Sequence, residues 1–319
     1  MTDYSVTYMA SNQREIWDTF VESSDNGTVF HRTDFLAYHG DVAGRCDLMV
    51  WKGASLQAVM PLRVEQKERE TIGYTPWGGS FGGLVTISDK AAFLEPVCEA
   101  IYDFLREEGV DRLILSCSPA PYSRSGGVAQ EYFMLRSVAE YELSSARVTS
   151  VIDLSRPLQL SQNMKRNLSY AKKQGVVVKE SGDPEVVYRL LQKTLEEKHG
   201  SSVTHSVEEF CYLSKNLREQ FRMFLAEVEG VPQATVVLLE NSSPCSMAFY
   251  NGYDHDVCIK GALPLVFHEV TEYCARAGKS FLDLGATSMT SKPINEGLFR
   301  FKEGWGSHLV YRNTYAITL

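Results

Sequence analysis

The sequence predicts a mixed α+β chain of two similar halves. Three observations carry this: a length of 319 residues, an ordinary globular composition, and one order of elements that occurs twice. A chain of this length suits two domains of common size rather than one core. Hydrophobic residues make up 44% and charged residues 23%, so a packed core is expected and disorder is not. The halves are expected at 1–150 and 151–319, with the seam near residues 145–160.

The first repeated element is a hairpin. Asp47, Leu48, Met49, Val50 and Trp51 read as a strand, residues 52–55 with Gly53 as a turn, and residues 56–62 as the returning strand. The helix that follows shows in the spacing of Leu94, Val97, Cys98, Ile101 and Leu105, and it ends near Gly109. Residues 112–116 then read as a buried strand. The same order returns later. Residues 223–228 and 233–239 form a hairpin around Glu229-Gly230. Leu263, Val266, Phe267, Val270 and Cys274 mark a helix that ends near Gly278, and residues 281–284 form a strand. In both hairpins Gln-Ala opens the return strand, at Gln57-Ala58 and Gln233-Ala234. The same order occurring twice reads as a duplicated domain, with chance similarity between two generic α/β segments as the alternative. Hairpin, helix and strand do not alternate as in a doubly wound sheet, so each half is expected to hold a mixed, largely antiparallel sheet flanked by helices.

Between these elements lie three segments with chemical potential. Residues 73–83 form a loop rich in glycine, in which Trp77 and Phe81 offer flat apolar surface to a ligand or simply fill a turn. Residues 163–175 read as a helix with Met164, Leu168 and Ala171 on its apolar face. Lys165, Arg166, Lys172 and Lys173 concentrate positive charge there, either as a solvated face or as a contact for phosphates. Residues 299–306 read as a loop that sets Lys302 among Phe299, Phe301 and Trp305 before a last strand. A lysine held there can stabilise developing negative charge, or lie along the surface.

Several classes are set aside. The net charge of −8 argues against a broad nucleic-acid surface, and no DNA partner is expected. No phosphate-binding loop, dinucleotide fingerprint or nucleophile elbow is present. His268-Glu269 begins like a zinc-protease motif, but Glu272 stands where the second histidine would be. His255 and Cys258 lack a second pair, so no metal site is expected. Seven scattered cysteines without a Cys-x-x-Cys pair read as reduced thiols. With no signal peptide and no apolar run of membrane-spanning length, the protein is expected to be cytoplasmic.

The chain resembles the FemAB-like transferases, closest to their exopolysaccharide-associated relatives. The matching pieces are the basic helix of residues 165–175, the strand and turn of residues 249–254, the strand Leu282-Asp283-Leu284-Gly285, and the terminal residues 297–306. The first half agrees through residues 30–35 and the loop 76–84. The resemblance implies two tandem GNAT-like domains and transfer of an acyl or aminoacyl group to an amine. The acceptor would be a cell-envelope precursor, an amino sugar or a small molecule. The donor co-substrate would be acyl-CoA or aminoacyl-tRNA, with no tightly bound cofactor. It carries a charge-managing role to Lys302. Tyr253, Asp254 and Asp283 are placed near the cleft because they end strands, with Asp254, His255, His268 and Glu269 as candidate bases. Trp77, Phe81, Phe301 and Asp283 are candidate substrate contacts. Lys165, Arg166, Lys260 and Gly261 are candidate donor contacts, the last two because residues 258–262 match a degenerate coenzyme-A loop. The lysine expected shortly after the Phe30 motif is absent, which weakens a muramoyl acceptor. A non-catalytic GNAT-like protein that binds a nucleotide-sugar or a biosynthetic complex is the alternative. RNA binding through residues 165–173 is a third reading.

Overall fold

The computed structural model describes residues 3–199, 203–287 and 294–319. The chain divides into unit 1, Met1–Val148 with Val310–Leu319, and unit 2, Thr149–Leu309. The last ten residues thus belong to the first unit, not to a second domain running to the C-terminus.

Unit 1 contains β1 (Tyr4–Tyr8), α1 (Arg14–Ser23), α2 (Thr33–Leu36), β2 (Leu48–Lys52), β3 (Ser55–Met60), β4 (Arg63–Lys67), β5 (Glu70–Thr75), β6 (Val85–Thr86), α3 (Ala91–Glu107), β7 (Arg112–Leu115) and α4 (Ala129–Arg136). Strand β8 (Glu140–Asp153) leads into unit 2. There follow α5 (Gln162–Lys173), β9 (Val177–Glu180), α6 (Pro184–His199), α7 (Val207–Asn216), β10 (Phe221–Val228), β11 (Val231–Leu239), β12 (Cys245–Tyr253), α8 (Ala262–Arg276), β13 (Phe281–Ala286) and α9 (Glu296–Glu303). Strand β14 (His308–Thr318) closes the chain.

The duplication holds strand for strand. In unit 1, β1 pairs antiparallel with β2 and β2 with β3. Strand β4 pairs antiparallel with β5, and β5 runs parallel to β7. In unit 2, β9 pairs antiparallel with β10, β10 with β11 and β11 with β12, and β12 runs parallel to β13. Each parallel pair is joined by a crossover that contains one long helix, α3 or α8. The strand after each parallel pair is antiparallel again, and here the two units exchange sequence. Residues Tyr315 to Thr318 of β14 complete unit 1 beside β7, whereas the end of β8 completes unit 2 beside β13. One departure from the repeat has a plain cause. The single strand β11 corresponds to two, β3 and β4, because Pro61 has no N–H to give a ladder and the strand breaks there.

Alternation along the strands sets the cores. In unit 1, Leu48, Val50, Ala58 and Met60 pack with Val97, Ile101 and Leu105 of α3, while Met49 and Val59 face Trp17, Phe20 and Val21 of α1. In unit 2, Phe224, Ala226, Val236 and Leu238 pack against α5 and α8 through Leu168, Ala171, Val266 and Val270. Helices α6 and α7 lie against the strands as well, α6 on β11 and β12 and α7 on β10. The unit-2 hairpin turns at Glu229 and Gly230, both with positive φ (49° and 79°), the turn whose twist matches paired strands. Residues 299–303 of the expected loop 299–306 belong instead to α9. Asn295 caps it, its Oδ1 accepting from Leu298 N at 3.0 Å. No described helix is long and apolar enough to cross a membrane.

Candidate active site

The site in unit 2 follows from how its parallel strands separate. β12 and β13 are in register from Cys245–Phe281 to Met247–Asp283 and no further. Phe249 is an extra residue in β12, since Leu238 faces Ala248 and Val237 faces Tyr250. Such a bulge bends the strand that carries it. Beyond this point lies a cleft of about 590 Å³. Asn251 and Tyr253 of β12, Leu284 of β13 and Thr194 of α6 line it. His255, residues 258–261, the first turns of α8, Asn295 and, on α9, Gly297, Leu298, Phe301 and Lys302 complete the wall.

Local packing fixes each wall. Gly252 lets α6 sit directly on β12, for a Cβ there would lie 2.7 Å from Leu190 O. Thr194 then holds the end of the strand. Its hydroxyl accepts from Tyr253 N at 2.7 Å and lies 2.9 Å from Tyr253 O. Gly261 adopts φ +90° at the start of α8, and a Cβ there would lie 2.2 Å from Asn167 O of α5. Its smallness therefore serves the contact between α5 and α8. On α9, Phe301 packs on Phe267 with ring centroids 5.4 Å apart.

Lys302 is the only buried residue of α9 and is 5% exposed. Its ammonium donates to Gly285 O at 2.7 Å, Ala286 O at 2.9 Å and Thr287 Oγ1 at 3.3 Å. A buried charge is tolerable only when solvated by the protein in this way. Thr287 in turn meets Ser150, with the two hydroxyl oxygens 2.6 Å apart. A cation is thus fixed at the cleft wall where β13 ends.

The residues singled out from the sequence divide sharply. Lys302, Phe301, Tyr253, Lys260 and Gly261 line the cleft together. Asp283 does not. It is fully buried and accepts from Thr149 Oγ1 and from Gly285 N, so it shapes the end of β13. Asp254 lies beside the cleft but forms an ion pair with Lys193 at 2.7 Å, which holds its carboxyl below the usual range and makes it a weak base. His268 lies on α8 outside the lining, and its buried Nδ1 has no partner among the described residues. Lys165 and Arg166 are exposed on α5 and do not line the cleft.

Trp77 and Phe81 belong to unit 1 and are buried. Trp77 Nε1 donates to Asp47 at 3.1 Å, and Phe81 packs between Phe30 and Tyr122. The corresponding separation of β5 and β7 is closed by backbone. Ser116 N donates to Thr75 O, Gly82 N to Ser116 O and Gly83 N to Thr75 Oγ1, each at 2.8 Å. These aromatics fill a seam that in unit 2 stays open.

The loop that begins α8 offers few donors. Cys258 N is bonded to Asp254 O, Ile259 N to Gln233 Oε1 and Ala262 N to Ile259 O. Pro264 has no N–H. In this stretch a pyrophosphate would find the amides of Lys260, Gly261 and Leu263. Burial pushes the Cys258 thiol up to about 11, so it is no thiolate nucleophile at neutral pH. Sequence reasoning missed Thr194, Asn251 and Asn295 as cleft residues. The spacing of Val187, Leu190 and Leu191 marks α6, and Asn295 carries the signature of a helix cap.

Two units of one strand order, each with a helical crossover joining a parallel pair, define a tandem GNAT-like α+β protein. No family model and no curated protein matches the sequence. Among solved structures the chain is similar to FemX, with a TM-score of 0.74 and 14% identity over 99% of this chain and 97% of that one. It is also similar to L-PGS from Bacillus licheniformis (TM-score 0.61, 11% identity, 98% and 93% covered). A C-terminal domain assigned to a lysylphosphatidylglycerol synthetase from Agrobacterium fabrum gives a TM-score of 0.59 at 11% identity, with 96% and 91% covered. At these identities the likeness is one of fold. The chain has the tandem fold of these proteins.

Proposed function

We propose that the protein is an N-acyl- or N-aminoacyltransferase whose transfer centre is the cleft of unit 2. The observation that carries this reading is the buried Lys302 ammonium at the wall of an open cleft between diverging parallel strands. The acceptor amine attacks the carbonyl of a bound ester or thioester. A C–N bond forms, the C–O or C–S bond breaks, and the proton lost from nitrogen ends on the leaving oxygen or sulfur. Rate comes chiefly from orientation and from stabilising the oxyanion. Lys302 supplies that charge, and its 3.3 Å contact to Thr287 is one an oxyanion can replace. His255 is the imidazole on the cleft wall, its ring tilted 52° to that of Tyr253 with centroids 4.2 Å apart, and is the proposed proton acceptor.

The donor is acyl-CoA or aminoacyl-tRNA, and the acceptor an envelope precursor, amino sugar or other small amine. The names of the similar synthetases support an envelope-related acceptor. The seven cysteines, scattered and without a Cys-x-x-Cys pair, support a cytoplasmic setting.

Thermal stability is to be measured against acetyl-CoA, longer acyl-CoAs, charged and uncharged tRNA, and nucleotide amino-sugars. A ligand that binds only the native state raises the melting temperature with concentration. A shift with an acyl-CoA or charged tRNA, followed by amide product, supports the reading. Binding of a nucleotide-sugar with no product from any donor would replace it with the non-catalytic one.

A further inference from the structure

Resting on the transfer reading, we infer that the group carried in the unit-2 cleft is a neutral, apolar acyl chain rather than a cationic aminoacyl side chain. Ile259, Leu263, Phe267, Leu284, Leu298 and Phe301 supply the apolar wall. No aspartate or glutamate is among the described residues that line it. The nearby carboxylates are engaged elsewhere: Asp254 by Lys193 at 2.7 Å, and Asp283, fully buried, by Gly285 N at 2.7 Å. Among the described lining residues the formal charges are Lys260 and Lys302, both positive.

A cationic side chain entering this cleft loses its hydration, gains no carboxylate from the described lining, and meets two ammonium groups of its own sign. Burial of an unpaired charge is among the costliest events in a protein interior. An alkyl chain meets the opposite balance, since every methylene covered by these side chains leaves water. The cleft volume of about 590 Å³ lies in the range that holds ligands far larger than an acetyl group. A chain of several carbons, with its carbonyl toward Lys302, uses both the apolar wall and the charge.

Calorimetric titration of the intact protein with straight-chain carboxylates of four to ten carbons, and with alkylammonium ions of the same lengths, tests this. Carboxylate affinity is expected to rise about fourfold per methylene until the cleft is filled. Each alkylammonium is expected to bind at least about tenfold more weakly than its carboxylate partner, one step of pairwise charge discrimination. Leu298→Glu, a change at a half-buried wall position, is expected to reverse that preference at an unchanged melting temperature. Affinity independent of chain length, or equal affinity for both charges, would overturn the inference. Tight chain binding with no turnover from any donor sinks the transfer reading alone. Efficient transfer of a lysyl group, with no chain binding, sinks the chain inference alone.

Discussion

Lys302 performs two tasks, and separating them gives the first prediction. Its ammonium ties together Gly285, Ala286 and Thr287, and it is also the charge at the cleft wall. Lys302→Met keeps the volume and removes both. Gly285 and Ala286 are not fully buried, so water takes over part of the lost bonding and the cost in stability is about 1 kcal/mol. Turnover is expected to fall about a hundredfold or more, the usual effect of deleting an oxyanion donor. Urea unfolding and single-turnover assays on one preparation separate the two, and unchanged turnover would remove Lys302 from the mechanism. His31 gives a second test at this scale. It is fully buried in unit 1, and burial pushes its pKa from 6.5 down to about 4. The unfolded chain therefore binds a proton between these values that the folded chain refuses. Stability from this group is complete above about pH 6.5 and is lost as pH falls toward 4, by about 3 kcal/mol in all. Burial raises the carboxyls of Asp18 and Glu131, which adds a slope of opposite sign, so the comparison must be with a variant. His31→Gln is expected to lose less stability between pH 7 and pH 4.5 than the parent in urea titrations. An identical loss would show that another group carries it.

Elements whose apolar residues follow one period were legible from the sequence. Helix α3 shows in Leu94, Val97, Cys98 and Ile101, and α8 in Val266, Phe267 and Val270, because each buries one stripe against one sheet. Both hairpins show because a glycine turn separates two apolar runs. The resemblance supplied Lys302 as a cleft residue, but its element was misread. A lone lysine between aromatics breaks the apolar pattern of α9, and the Asn295 cap was the overlooked sign. Trp77 and Phe81 show the reverse error. Glycine and aromatics in a loop look alike whether the rings face a ligand or fill a seam, and the backbone bonds of Gly82 and Gly83 decide it here. Asp283 looked functional because it ends a strand beside a glycine. In the fold its carboxylate caps that same turn, a role local sequence does not distinguish from catalysis.

At the scale of the whole chain, duplication accounts for almost every strand, and its one exchange carries the last prediction. A simple tandem repeat would let each half complete its own sheet with its own last strand. Instead unit 1 is completed by the final residues of the chain, and that link joins positions some 200 residues apart in sequence, as in the pairing of Leu115 with Tyr315. Tyr315 and Ile317 also belong to the core that contains Leu113 and Leu115. Tyr315 OH donates to Glu131 at 2.7 Å, and Arg312 reaches Ser80 O at 2.6 Å. Removing residues 310–319 therefore takes a ladder, two core side chains and two polar ties from unit 1, and no residue of unit 2. Large losses of this kind far exceed the few kcal/mol by which a domain is stable. Hydrogen exchange on the truncated chain is expected to show protection lost across β2, β3, β5 and β7 while β10, β11 and β12 keep theirs. Uniform loss would mean that the two units fold as one cooperative body, and uniform retention would mean that β14 contributes little to the core it joins.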